Sequence, residues 1–318
     1  MPKGYEKMRD AIKEDLLKKG MSREKAVMSG LPLNQIIHGD CLEVMRQFPD
    51  KSIDMILCDL PYGVTGYKWD TIIPFEPLWE QYERIIKDNG AIVLTAIQPF
   101  TSALIMSNIK RFKYCWVWDK KKPGVIGIAK YQPLRYTEDI VVFCKGSSVY
   151  NPQMVKRNKV KKSRNYRHED KIYTEKFPSN IIEISNANQK GKVHPTQKPV
   201  ALFEYLIKTY TNEGEIVLDN CIGSGTTAIA CINTGRNFIG IEIEEKYVKI
   251  ARERIEKHKK LDKMRLFPIS ELEAGKLQYK GLYEPEDEAD KEAKRIAAAT
   301  WNKKHPKSPV TNKSHKKK

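Results

Sequence analysis

The stretch Ile53-Asp54-Met55-Ile56-Leu57-Cys58-Asp59-Leu60-Pro61-Tyr62 is a mostly apolar run that stops at an acid, a proline turn and an aromatic. A run of this length with a proline just beyond it reads as a buried strand ending in a turn. The same grammar repeats on either side. Upstream, Gln35-Ile36-Ile37-His38 is a short apolar stretch before Gly39-Asp40, and a helix carrying Leu42, Val44, Met45 and Phe48 follows. Downstream, residues 75–88 read as a helix, Ala91-Ile92-Val93-Leu94-Thr95 as a strand, 101–110 as a helix, and 113–118 and 139–144 as strands. After a basic interruption the pattern resumes with a helix near 199–210 and a strand at Glu215-Ile216-Val217-Leu218. A helix from about Thr226, a strand at Asn237-Phe238-Ile239-Gly240-Ile241 and an amphipathic helix over 244–260 complete it. This alternation predicts an α/β fold with a doubly wound, mostly parallel sheet, whose ligands bind beyond the carboxyl ends of strands at a switch point.

At 318 residues and 40% apolar composition, the chain is long enough for one sizeable core with accessory segments. It holds no apolar run near the ~20 residues needed to cross a bilayer. Met1-Pro2-Lys3-Gly4-Tyr5 opens it without a signal-peptide apolar segment. The expectation is a cytoplasmic protein with no membrane partner. The six cysteines, Cys41, Cys58, Cys115, Cys144, Cys221 and Cys231, contain no closely spaced pair, so buried reduced thiols and no metal are expected. The formal charge of +17 is concentrated in two places. Residues 145–192 hold 12 Lys/Arg against 4 Asp/Glu, and residues 291–318 hold 10 against 1, which accounts for the whole excess. A localised basic patch is the footprint of a polyanion. The inner segment also carries Tyr150, Tyr166, His168 and Tyr173, which a merely solubilising surface does not require.

Three runs carry chemistry. In Asp59-Leu60-Pro61-Tyr62 a carboxylate sits at a strand end before a proline-stiffened turn. An amino group on an aromatic base is a poor nucleophile, and a carboxylate accepting its N–H favours a tetrahedral nitrogen with a usable lone pair. A nearby backbone carbonyl takes the second N–H, and Tyr62 offers a stacking face for a base drawn out of its duplex. The plain alternative is an ordinary strand–turn. In Asp219-Asn220-Cys221-Ile222-Gly223-Ser224-Gly225-Thr226-Thr227 the glycines permit a tight turn and close approach of a ligand, and Glu242 ends the next strand, where ribose hydroxyls bind. Gly223-x-Gly225-x-x-Ala228 also satisfies the dinucleotide pattern, but an acid and three further positions separate strand from glycine. A carboxylate there suits a cationic amino acid better than a pyrophosphate. His194-Pro195-Thr196-Gln197-Lys198-Pro199 restricts the backbone before a helix, and Thr196 and Lys198 are suited to an amino-acid carboxylate; an ordinary helix boundary is the alternative.

In this order and spacing, the runs resemble the amino-methyltransferases of DNA in their circularly permuted β-class arrangement, over about residues 34–260. The resemblance implies a methyltransferase fold that binds S-adenosylmethionine, with the catalytic half at 31–145, a target-recognition insertion at 146–192 and the cofactor half at 193–262. It implies that Asp59 bonds the target amino group with help from the Leu60 carbonyl, that Pro61 shapes the turn and that Tyr62 stacks on the flipped base. Asp40, beside Cys41, would bond the cofactor adenine. Thr196 and Lys198 would hold its carboxylate, and Glu242 its ribose. Asp219, Cys221, Gly223, Gly225 and Thr226 would frame its methionine part. Lys156, Arg157, Lys159, Lys161, Lys162, Arg164 and Arg167 are the expected contacts to double-stranded DNA. The family's catalytic run usually carries two prolines, and Leu60 stands at the first. Asp rather than Ser at 59 points to adenine N6 over cytosine N4.

Other readings keep some of these residues. Cytosine N4, RNA or a protein amide would change the acceptor. A nicotinamide oxidoreductase would leave Asp59 to Tyr62 unexplained, and a non-catalytic DNA-binding protein would rest on Leu60 alone. Dimers occur in the family, so a monomer and a homodimer both stay open. Residues 1–30 read as a charged helical segment and 263–318 as a polar, Lys-rich extension, and residues 5–27 and 291–310 are expected to pair as a small helical module anchored by Trp301.

Overall fold

The computed structural model describes residues 30–64, 70–123, 126–127, 129–165, 168–186 and 197–266. The expected terminal module, Thr196 and Arg167 lie outside the described residues. The chain divides into two compact units, residues 1–255 and 256–318, and the features below belong to the first.

In chain order the elements are β1 (Gln35–His38), α1 (Cys41–Met45), β2 (Ile53–Cys58), α2 (Phe75–Ile85), β3 (Ile86–Ala96), α3 (Phe100–Ser107), β4 (Phe112–Asp119) and β5 (Thr137–Phe143). Then come β6 (Val155–Asn165), β7 (His168–Lys176), β8 (Ile181–Glu183), α4 (Val200–Tyr210), β9 (Ile216–Asp219), α5 (Thr226–Thr234), β10 (Asn237–Glu242) and α6 (Glu245–Leu266). Eight strands form one sheet in the order β1-β10-β9-β2-β3-β5-β4-β8. Its pairs are parallel except where β5 lies antiparallel between β3 and β4. This is the doubly wound, mostly parallel α/β sheet expected of the sequence.

Alternation along each strand divides the core into two layers. Ile56, Cys58, Ile92 and Leu94 pack with Met45 of α1, Leu78 and Tyr82 of α2 and Leu104 of α3. Met55, Leu57, Ala91 and Val93 face the other way, onto Leu202 and Leu206 of α4, Ala228 of α5 and Ala251 of α6. β2 is buried along its whole length. The acid inside it, Asp54, is satisfied by Lys87 Nζ at 2.6 Å and by the Ile216 N–H at 3.0 Å, as a buried charge requires. The latter bond ties β2 to β9, which arrives late in the chain. The β2–β9 seam is therefore where the early and late halves of the sequence meet, with Ile56 level with Leu218.

Several boundaries differ from the local pattern. The spacing predicts a helix over 75–88, but α2 ends at Ile85 and the chain passes directly into β3. Gly90 lies inside that strand because a Cβ there would stand 2.7 Å from the Asp54 carbonyl oxygen. Within 146–192, β6 and β7 form a separate antiparallel hairpin, whereas β8 joins the main sheet beside β4.

Candidate active site

A cleft of about 730 Å³ opens along the carboxyl ends of β2, β9 and β10. Parallel pairing of these strands at the seam places Asp59, one residue beyond β2, beside Asp219, the last residue of β9. Asp40, Cys41, Asp59, Leu60, Pro61, Tyr62, Lys198, Asp219, Cys221, Gly223, Thr226 and Glu242 all line it, so most of the expected site residues converge on one crevice. Gly225 does not line it. That residue caps α5 in a left-handed conformation, φ +82°, where a Cβ would lie 3.2 Å from the Cβ of Ala251. Lys156 and Lys159 are exposed on the hairpin strand β6, and Arg157 donates from Nε to the Glu175 carbonyl at 2.9 Å. Lys161, Lys162 and Arg164 belong to the same strand.

The two oxygens of Asp59 are used unequally. Oδ1 accepts from Tyr62 Oη at 2.5 Å, from Thr95 Oγ1 and from Lys198 Nζ at 2.8 Å. Among the described residues Oδ2 accepts only from Lys198 Nζ, at 2.7 Å. Burial and the Asp59 and Glu138 carboxylates hold Tyr62 well above the usual phenol range, so its hydroxyl stays a donor. The Tyr62 ring packs on Phe100 with centroids 5.2 Å apart, and Lys198 Nζ stands 5.6 Å from its centre. Lys198, expected at a cofactor carboxylate, is thus bound to the carboxylate expected to do the chemistry.

The turn after Asp59 is stiffened from outside the motif. Asp70 Oδ1 accepts the N–H groups of Tyr62 and Gly63 at 2.8 and 3.0 Å, and its Oδ2 accepts that of Val64 at 2.9 Å. This clamp supplies rigidity where Leu60 replaces a proline, while the Leu60 side chain is buried in the core. Asp70, Thr95, Glu138 and Lys120 were not legible as site residues. Thr95 alone left a trace, as a polar residue at the end of an apolar strand.

The remaining acids shape the loops. Asp40 Oδ1 caps α1, accepting from the N–H groups of Leu42 and Glu43 at 2.8 and 3.2 Å. Glu242 Oε2 accepts the Gly223 N–H and Oε1 the Glu244 N–H, each at 2.9 Å, and burial raises its pKa. Each carboxylate oxygen keeps a further lone pair for a ligand hydroxyl. Arg254 of α6 secures the glycine turn through the Ser224 carbonyl at 3.0 Å and Thr226 Oγ1 at 3.2 Å. Cys41 and Cys221 of the cleft lining come close to Cys58 behind them, and Cys41 and Cys58 are pushed up mainly by the Cys221 thiol and by burial respectively. Among the described residues no group of three or more His, Cys, Asp or Glu is placed to hold a metal ion.

Asp219 is buried, and burial pushes its carboxyl up to about 7, against the opposing hydrogen bonds from Thr227 and the Cys221 N–H. Between the ordinary carboxylate range and about 7 the folded chain keeps a proton that the unfolded chain has lost. The stability from that proton is fully present below the unfolded pKa and is lost as pH rises through about 7. Between about pH 5 and about pH 8 the Tm of the natural chain should fall by several degrees relative to Asp219→Asn. Parallel Tm profiles for the two proteins would refute a protonated Asp219.

The DNA methylase family matches residues 53–253, more than half of the chain. DNA adenine methyltransferase YhdJ of Escherichia coli (strain K12) is 30% identical over 246 residues, covering 70% of this chain and 82% of its own. Type II methyltransferase M.HpaI of Haemophilus parainfluenzae is 27% identical over 237 residues, 70% of this chain and 74% of its own. The solved structure of M1.HpyAVI with SAM is 29% identical at a TM-score of 0.52, covering 70% of this chain and 98% of that one. PvuII DNA methyltransferase, cytosine-N4-specific, shares the fold at a TM-score of 0.53 and 17% identity over 68% of this chain and 84% of that one. The match over residues 53–253 and the 30% identity to a DNA adenine methyltransferase place this chain in the DNA methylase family.

Proposed function

We propose that this chain transfers a methyl group from S-adenosylmethionine to the N6 amino group of adenine at a specific site in double-stranded DNA. The observation that carries the reading is the placement of Asp59 at the β2 end, directly beside the Asp219–Gly223 turn and Glu242. An Asp at 59, and a relative named as a DNA adenine methyltransferase, favour adenine. A cytoplasmic location accompanies DNA as substrate and belongs to the same proposal.

The cleft lining fits the cofactor. Asp40, Asp70, Glu242 and Glu244 outnumber Lys120 and Lys198 there, which suits a ligand carrying both a sulfonium and an ammonium. Asp40 and Cys41 would hold its adenine and Glu242 its ribose. Asp219, Cys221, Gly223 and Thr226 would line its amino-acid part, with Thr196 at the carboxylate, the Lys198 ammonium being taken by Asp59 instead. When bound, the cofactor supplies an electrophilic methyl group. Asp59 Oδ1 is anchored by Tyr62 and Thr95, which leaves Oδ2 as the oxygen that accepts the N–H of the base and holds its proton. The Asp70 clamp keeps the turn rigid, so the nitrogen is aligned with the methyl group. The β6–β7 hairpin supplies Lys156, Arg157 and Lys159 to DNA, a two-stranded ribbon being narrow enough for a major groove.

Expression in a host lacking its own DNA methylation, followed by sequencing that reports modified bases, tests this. N6-methyladenine at one recurring short sequence is expected. N4-methylcytosine would overturn the base assignment, and unmodified DNA despite folded protein that binds S-adenosylmethionine would overturn the reaction.

A further inference from the structure

Lys198 stands between two carboxylates. Its Nζ chelates Asp59 at 2.8 and 2.7 Å and lies 3.5 Å from Oε2 of Glu138. That Oε2 is buried and makes no hydrogen bond of ordinary geometry among the described residues, its ion pair with Lys198 being a long one. Its partner Oε1 is held by Lys120 Nζ at 3.1 Å, so the carboxylate is fixed with its unsatisfied oxygen toward Lys198. Glu138 comes from β5 and is level with Trp118 of β4, both well removed in sequence from the motif at Asp59. An unsatisfied buried carboxylate oxygen is costly, and native structures keep few of them. Asp59 Oδ2, the oxygen proposed above to accept the base, is covered by the same ammonium. Burial works against the charge on Lys198, but the Asp59 and Glu138 carboxylates outweigh it, so the ammonium persists between them.

We infer that Glu138 is a positioning residue for methyl transfer: it draws the Lys198 ammonium onto Oε2 as Asp59 Oδ2 takes up the amino group of the base. The shift is short, keeps the Lys198 ammonium paired and brings Oε2 to hydrogen-bond distance, while Asp59 keeps the Tyr62 and Thr95 hydroxyls and gains the N–H of the base. The inference rests on the role proposed for Asp59.

The test is a double-substitution cycle in the full chain, read as single-turnover methyl transfer at saturating DNA and S-adenosylmethionine. Glu138→Gln keeps the shape and removes the pull, so the rate should fall by roughly 100-fold. The Kd for S-adenosylmethionine should stay as in the natural chain. In a Lys198→Gln background the same change should have no further effect. Glu138→Asp keeps the charge and shortens its reach; it should give a smaller loss that also vanishes without Lys198, and it carries the test if Glu138→Gln does not fold. Undiminished rate in Glu138→Gln, or a loss that persists without Lys198, overturns the inference. A natural chain that transfers no methyl group at all would instead overturn the reading on which it rests.

Discussion

Asp59→Asn is expected to lower the single-turnover rate of methyl transfer by about 10³-fold or more while leaving S-adenosylmethionine affinity nearly unchanged. An amide still accepts from Tyr62 and Thr95 on one atom. At the other it presents an N–H, which neither accepts from the base amino group nor takes up the proton that must leave. Asparagine is a better probe than alanine because Asp59 is the bidentate partner of a buried lysine. Removing that partner altogether leaves the buried ammonium with the more distant Glu138 carboxylate, which costs stability. Asp59→Ala should therefore lose both activity and stability, and Asp59→Asn chiefly activity. Paired measurement of rate and Tm separates the two. A rate within tenfold of the natural chain, with altered cofactor affinity instead, would move Asp59 from chemistry to binding.

DNA affinity should fall by about 10³-fold between about 50 and about 200 mM salt, because each neutralised phosphate releases counterions. Replacing Lys156, Arg157 and Lys159 together by glutamine should make the slope of log K against log salt shallower by about 3. These residues lie on β6, in a sheet of their own with β7, so their removal leaves the cleft lining intact. Methyl transfer at saturating DNA should accordingly survive. An unchanged slope would transfer the phosphate contacts to the other basic segment, residues 291–318. A fluorescence titration at a few salt concentrations gives the result.

Much of this molecule was legible locally. β2 was read at its observed bounds because its apolar run is bounded by charge on one side and by a proline turn on the other. Where propensity and tertiary context disagree, context prevails, as at Gly90, whose place in β3 follows from the approach of the Asp54 carbonyl. The motif at Asp59 announced a carboxylate but not the state in which it is held. Leu60 suggested a looser turn, and the structure supplies the missing stiffness from Asp70.

By itself the sequence determined the α/β alternation, the order of catalytic, basic and cofactor segments, and the acids that end β2, β9 and β10. Those properties are local: hydrophobic period, turn chemistry and charge are written over a few neighbouring residues. Only the tertiary structure decided that Lys198 lies on Asp59, 139 positions away, and that Glu138 waits 3.5 Å beyond it. Such pairings depend on which strands become neighbours, here the late β9 beside the early β2 and the reversed β5 beside β3. Sheet order is set by the packing of the whole core, and no short stretch of the chain carries it.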